Sequence, residues 1–118
     1  MREKVLIKEV GLRDGIQLLK NFCPTHIKLK WLEAQVKSGF KEIEVTSFVS
    51  KKVMFQFSDS ETILKTANEF SELTSYVLVP NFRGAEIALE NNAKNINFVI
   101  SASEEHNMAN VNQNISDS

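Results

Sequence analysis

The feature that most constrains this chain is the regular exchange of one hydrophobic period for another. Four short β-forming runs occur at "VLIKEV" (5–10), "EIEVTSF" (42–48), "SYVLVP" (75–80) and "NINFVIS" (95–101). Between them, apolar residues recur at three- and four-residue spacing, the signature of helices with one buried face. Over 25–38 the stripe is Leu29, Leu32 and Val36, joined by Ile27, Trp31 and Ala34. Pro24 and Thr25 are start signals there, and Gly39 is a left-handed stop. Over 59–72 the stripe is Ile63, Leu64, Ala67 and Phe70, and Ser58 followed by Glu61 has capping-box spacing. A third helix is expected over 82–91, with Ala85, Ala88 and Leu89 facing inward.

The order is therefore β-α-β-α-β-α-β, which predicts an α/β fold with a parallel sheet and right-handed crossovers. The strands are nearly apolar, as suits burial on both faces. Their polar residues gather toward the carboxyl ends: Glu9, Glu44 to Ser47, Asn81, and Ser101 to Glu104. Ligands of parallel α/β folds bind beyond those ends. Two architectures accommodate such units: a small open doubly wound sheet, or the first half of a (β/α)8 TIM barrel of about 250 residues. Only four glycines are present, none spaced G-x-G-x-x-G or G-x-x-x-x-G-K, which counts against a nucleotide-binding sheet. The tail 103–118 is rich in Asn and Ser and breaks the alternation.

A chain of 118 residues has the length of one domain, and its 42% hydrophobic and 25% charged content is that of a globular protein. A net charge of −1 with acids and bases interspersed argues against nucleic acid or an anionic membrane as partner. No apolar stretch approaches the ~20 residues needed to span a bilayer. The start "MREKVLIKEV" lacks the apolar core of a secretory signal. A single cysteine, Cys23, has no internal disulfide partner, which points to a reducing compartment, the cytoplasm.

Several side chains could carry chemistry. Arg13 and Asp14 follow the first strand, between Gly11 and Gly15. Asp14 offers hard oxygen ligands for Mg²⁺ or Mn²⁺, and Arg13 a cationic fork for a carboxylate or oxyanion. The plain alternative is a surface turn whose glycines supply special backbone angles. Glu44, between Ile43 and Val45, faces either water or a barrel interior; inside, it needs a cation or hydrogen-bond donors. His106 stands in a polar stretch with no second histidine at metal-pair spacing. Cys23 has no histidine at fixed spacing, which speaks against nucleophilic catalysis.

Taken in order, four stretches resemble the 3-hydroxy-3-methylglutaryl-CoA lyase family, metal-dependent barrel enzymes allied to the isopropylmalate synthases. They are "EVGLRDGIQ" (9–17), "GFKEIEVTSFVS" (39–50), "LVPNFRGAEIAL" (78–89) and "SASEEHNMANVNQNI" (101–115). The resemblance implies a retro-Claisen cleavage of an acyl-CoA substrate to acetyl-CoA and acetoacetate, assisted by a divalent cation. It implies Asp14 as a metal ligand, Arg13 as the group stabilising the enolate oxygen, and Glu44 and Glu9 as acids orienting Arg13 and the metal shell. Gln17 and Ser47 fall where the family lines its substrate pocket. Two stretches depart from the family pattern. Leu18 and Leu19 replace a polar pair, and "FVSKKVMFQF" (48–57) lacks two prolines and a tryptophan.

The family's His-x-His metal pair, asparagine ligand and cysteine-bearing glycine loop have no counterpart in this sequence. Residues 1–118 are thus expected to form one partial domain, the N-terminal half of a lyase barrel, without turnover alone. Self-association or a complementing C-terminal half is the expected partner. Two other functions fit the same fold: an acyl-CoA aldol or Claisen synthase, and a non-catalytic remnant acting as an interaction module.

Overall fold

In the computed structural model, which describes residues 4–99, four strands form one parallel sheet: β1 (Lys8–Glu9), β2 (Glu42–Ser47), β3 (Thr74–Val79) and β4 (Ile96–Phe98). Three helices connect them: α1 (Thr25–Lys37), α2 (Ser60–Ala67) and α3 (Phe82–Glu90). Spatial order follows chain order. A doubly wound sheet reverses direction at a switch point, whereas a barrel wall adds each strand beside the last. The observed order is that of the barrel wall.

The two faces of this wall differ in chemistry. Ile43, Val45, Val77 and Val79 pack with Leu32, Val36, Ile63, Leu64, Ala67 and Ala88 into one apolar core between sheet and helices. The alternate residues form a polar face. Tyr76 donates to Glu42 at 2.8 Å, and Asn97 donates to Glu44 at 2.8 Å. The expectation of strands apolar on both faces is therefore corrected. A barrel interior is lined by side chains from the strands alone, and polar residues persist there when they satisfy one another.

Several element boundaries shift for physical reasons. β1 is paired only at Lys8 and Glu9, because β2 begins at Glu42 and gives earlier residues no neighbour. Val5, Leu6 and Ile7 are accordingly exposed. α2 ends at Ala67 rather than near residue 72, although Phe70 still packs on the core. The expected capping box is absent: Asp59 takes the cap position, and its side chain is engaged elsewhere. In α3 Ala88 is buried but Leu89 faces outward, while in α1 Ile27 is exposed. Gly39 ends α1 as expected, with φ 98°. Asn92, at φ 65°, does the same after α3.

A buried polar clasp joins α1 to the loops after β1 and β2. Lys28, only 2% exposed, donates from Nζ to Asp59 Oδ1 at 2.9 Å and to the Gln56 carbonyl. Thr25 donates its hydroxyl to Asp59 Oδ2 at 2.7 Å. The Gln56 side chain, fully buried, accepts from Cys23 N at 2.9 Å and donates to the carbonyls of Leu19 and Asn21. Asp59→Ala strands a buried ammonium, so urea denaturation is expected to show a loss of about 3–5 kcal/mol. Lys28→Met is expected to cost less, because Asp59 keeps its bond from Thr25.

The Tyr76 phenol is held above its ordinary value of 10.0, first by its hydrogen bond to Glu42, then by desolvation and the Glu42 charge. The folded state thus holds this proton more tightly than the unfolded chain. That stabilisation is whole below the unfolded value and is lost as pH rises through the folded one. Tyr76→Phe is expected to flatten the fall in melting temperature above about pH 10 relative to the parent.

Candidate active site

The chain leaves β1 in a wide helical turn, Gly11–Gly15, nucleated on the Val10 carbonyl, which accepts from Arg13 N and Asp14 N at 3.1 and 2.7 Å. Wide turns of this kind occur often at functional sites. Leu12 and Ile16 are buried and anchor the turn. Glu9 Oε1 accepts from Gly11 N at 2.8 Å. Gly11 is set by space rather than by backbone angle. A Cβ there would lie 2.8 Å from the Trp31 ring and 2.9 Å from Glu9 Oε1, and Gly39 alone among the described glycines has positive φ.

Arg13 is the hub of the cluster. Its Nε donates to Glu44 Oε1, and one terminal nitrogen donates to Gln17 Oε1 at 3.1 Å and Asp14 Oδ1 at 3.3 Å. The other terminal nitrogen has no acceptor among the described residues. Glu44 is 4% exposed, which resolves its two readings in favour of the interior. Both its oxygens are engaged, Oε1 by Arg13 and Oε2 by Asn97.

A β-bulge at Val45 decides which residues follow Glu44 on this face. Glu44 pairs with Tyr76 but Thr46 with Val77, so Val45 is an extra residue in the ladder. Thr46 is thereby turned toward α2, where its hydroxyl meets Ser60 Oγ at 3.0 Å. Ser47, paired with Leu78, lines a cavity of about 300 Å³ together with Arg13, Gln17, Met54, Leu78 and Val99. A second cavity of about 600 Å³ adjoins it between the β2 and β3 loops, bordered by Lys51, Lys52, Glu61, Asn81 and Arg83.

The structure brings Arg13, Asp14, Gln17, Glu44 and Ser47 to one strand-end region. Glu9 stands apart: its recorded partner is Gly11, while Arg13 is bonded to Glu44, Gln17 and Asp14. Asp14 is the accessible carboxylate, its side chain 66% exposed. Among the described residues no three His, Cys, Asp or Glu side chains lie close enough to hold a metal ion. The described residues alone therefore do not make up the ligand set of a cation. His106 and Ser101 to Glu104 lie outside the described residues.

Sequence reasoning missed Asn97 and Gln56. Asn97 occupies an alternate position in an otherwise apolar strand, and that interruption was the available signal. Gln56 carried none, since its three backbone partners come from a loop without regular structure.

Four parallel strands in chain order, with an arginine–carboxylate cluster at their carboxyl end, have the architecture of the first part of a (β/α) barrel. Residues 4–118 match the HMGL-like family, and the chain belongs to it. It is 39% identical over 116 residues to the hydroxymethylglutaryl-CoA lyase YngG of Bacillus subtilis, covering 98% of this chain and 39% of that one. It is 40% identical to the mitochondrial hydroxymethylglutaryl-CoA lyase of Macaca fascicularis, covering 98% of this chain and 36% of that one. The Bacillus subtilis HMG-CoA lyase structure superposes with TM-score 0.90 at 38% identity, over 98% of this chain and 39% of its own. An HMG-CoA lyase from Acenitobacter baumannii, solved with coenzyme A and 3-methylmalate, superposes with TM-score 0.83 at 36% identity, over 92% and 36%. The chain thus spans well under half the length of these relatives and corresponds to the first part of their barrels. No helix among the described residues is long and apolar enough to cross a membrane.

Gly11→Ala is expected to destabilise the chain by about 1–3 kcal/mol in urea titration, because the added methyl overlaps Trp31. Combining it with Trp31→Leu is expected to recover part of that loss.

Proposed function

We propose that this chain supplies the arginine side of the active site of a lyase that cleaves 3-hydroxy-3-methylglutaryl-CoA to acetyl-CoA and acetoacetate. The observation that carries the reading is the Arg13 fork, fixed at Nε by Glu44 with one terminal nitrogen unengaged among the described residues beside a strand-end cavity. In this cleavage the 3-hydroxyl loses its proton and its carbon becomes the ketone of acetoacetate. The C2–C3 bond breaks, its electrons pass into the thioester carbonyl, and the resulting enolate takes up a proton at C2. Arg13 meets the charge that develops on the thioester oxygen, a task suited to a donor already oriented before the reaction. Gln17 and Ser47 border the substrate beside it.

Asp14 is the ligand this chain offers to a divalent cation, Mg²⁺ or Mn²⁺. Such a cation supplies Lewis acidity toward substrate oxygens when bound. One carboxylate does not make a site, and the chemistry assigned to this chain is that of its own side chains. The coenzyme A in the Acenitobacter baumannii relative supports an acyl-CoA substrate here. The lyase relatives favour cleavage over the synthase reading. A reducing, cytoplasmic setting is part of the proposal and rests on the single cysteine.

The test is Mg²⁺-dependent release of acetyl-CoA. The chain alone is expected to show none, and activity is expected when a polypeptide carrying the later strands of the Bacillus subtilis lyase is supplied. In that assembly Arg13→Lys is expected to lower kcat by about 10²–10³-fold with little change in KM. Turnover by the chain alone would contradict the need for further ligands. An Arg13→Lys assembly as active as the parent would remove Arg13 from the mechanism.

A further inference from the structure

We infer that Asn97 is a positioning residue for Arg13, acting through Glu44: its side-chain amide holds Glu44 Oε2 so that Oε1 is presented to the Arg13 guanidinium. The inference rests on the Arg13 role proposed above. A carboxylate only accepts hydrogen bonds, so the amide nitrogen of Asn97 must face Glu44, at 2.8 Å.

The contact is made across the sheet. β2 and β4 are both hydrogen-bonded to β3 and not to each other. In a flat sheet two such strands lie about 9.5 Å apart. Glu44 and Asn97 bridge that gap over β3, on the face bearing Tyr76 and Leu78. Alternate strands of a barrel contribute to one interior layer, and these two residues belong to such a layer. Little else in β4 explains an asparagine there: its neighbours Ile96 and Phe98 are apolar and exposed.

The consequence for Arg13 follows from the hydrogen-bond inventory of Glu44. With Asn97 in place, each Glu44 oxygen has one donor and the Arg13 Nε bond has a fixed direction. Without it, Oε2 is left buried with no partner. The carboxylate then turns to take both oxygens to Arg13 or draws in water, and either change re-aims the guanidinium. Asn97 does not touch the cavity that Arg13 lines; its influence passes through Glu44.

The experiment follows the Arg13 Nε–H resonance by NMR in the ¹⁵N-labelled chain. Asn97→Val is expected to speed its exchange with solvent at least about tenfold, with the backbone amide fingerprint outside β4 unchanged. Asn97→Gln, which keeps the amide, is expected to restore much of the protection. Asn97→Asp sets two carboxylates together and is expected to speed exchange at neutral pH. In the complemented lyase assembly Asn97→Val is expected to lower kcat about tenfold at nearly constant KM.

Parent-like Arg13 Nε–H exchange in Asn97→Val would overturn the inference. If that variant fails to fold, an Asn97→Asp chain whose Arg13 Nε–H exchange matches the parent at neutral pH would overturn it instead. Failure of the lyase proposal reads differently: no assembly releases acetyl-CoA, while the Arg13 signal still responds to Asn97.

Discussion

A carboxylate taken almost wholly out of water has to be compensated, and Glu44 is compensated from two directions. An isolated buried charge of this kind costs several kcal/mol. The guanidinium arrives from the turn after β1, and the amide from β4 on the far side of β3. The turn after β1 and the strands β2 and β4 therefore meet at one side chain. Burial also gives the ion pair its value at the site, since a charge pair shielded from water keeps its geometry better than one on the surface.

The division of the sheet into two faces lets this cluster exist without weakening the fold. The helix side is filled with Ile, Val, Leu and Ala and supplies the apolar burial that holds the domain together. The other side carries Glu42, Glu44, Tyr76 and Asn97, which pair among themselves. The extra residue at Val45 makes the separation uneven at the end of β2. It turns Thr46 into the helix layer and Ser47 toward the cavity.

Much of this was legible in the sequence, and the remainder was hidden for definite reasons. The alternation of strand and helix periods located the four strands and three α-helices, because amphipathic patterning reports burial directly, but not the wide turn Gly11–Gly15 or the short helix Phe55–Phe57. Arg13, Asp14, Gln17, Glu44 and Ser47 were identified from their strand-end positions and a family resemblance, and they do converge. The bulge was invisible, since Glu44-Val45-Thr46 reads as ordinary alternation and only the pairing with β3 exposes the surplus residue. Asn97 was passed over because its partner lies 53 residues away across an intervening strand. The early residues Val5, Leu6 and Ile7 look like strand by composition, yet a strand exists only where a neighbour supplies hydrogen bonds.

The clasp of Lys28, Gln56 and Asp59 bears on the segment 48–57, one of those that sequence reasoning marks as departing from the pattern of the family it resembles. The resemblance leads to the expectation of two prolines and a tryptophan there, and prolines stiffen a loop by limiting what its unfolded form can do. Here the far end of the loop is pinned by side chains. Gln56 grips three backbone groups of the preceding loop, and Asp59 is locked to α1. A substitution within residues 50–55 leaves those hydrogen bonds, and with them the anchorage of the loop's far end, in place.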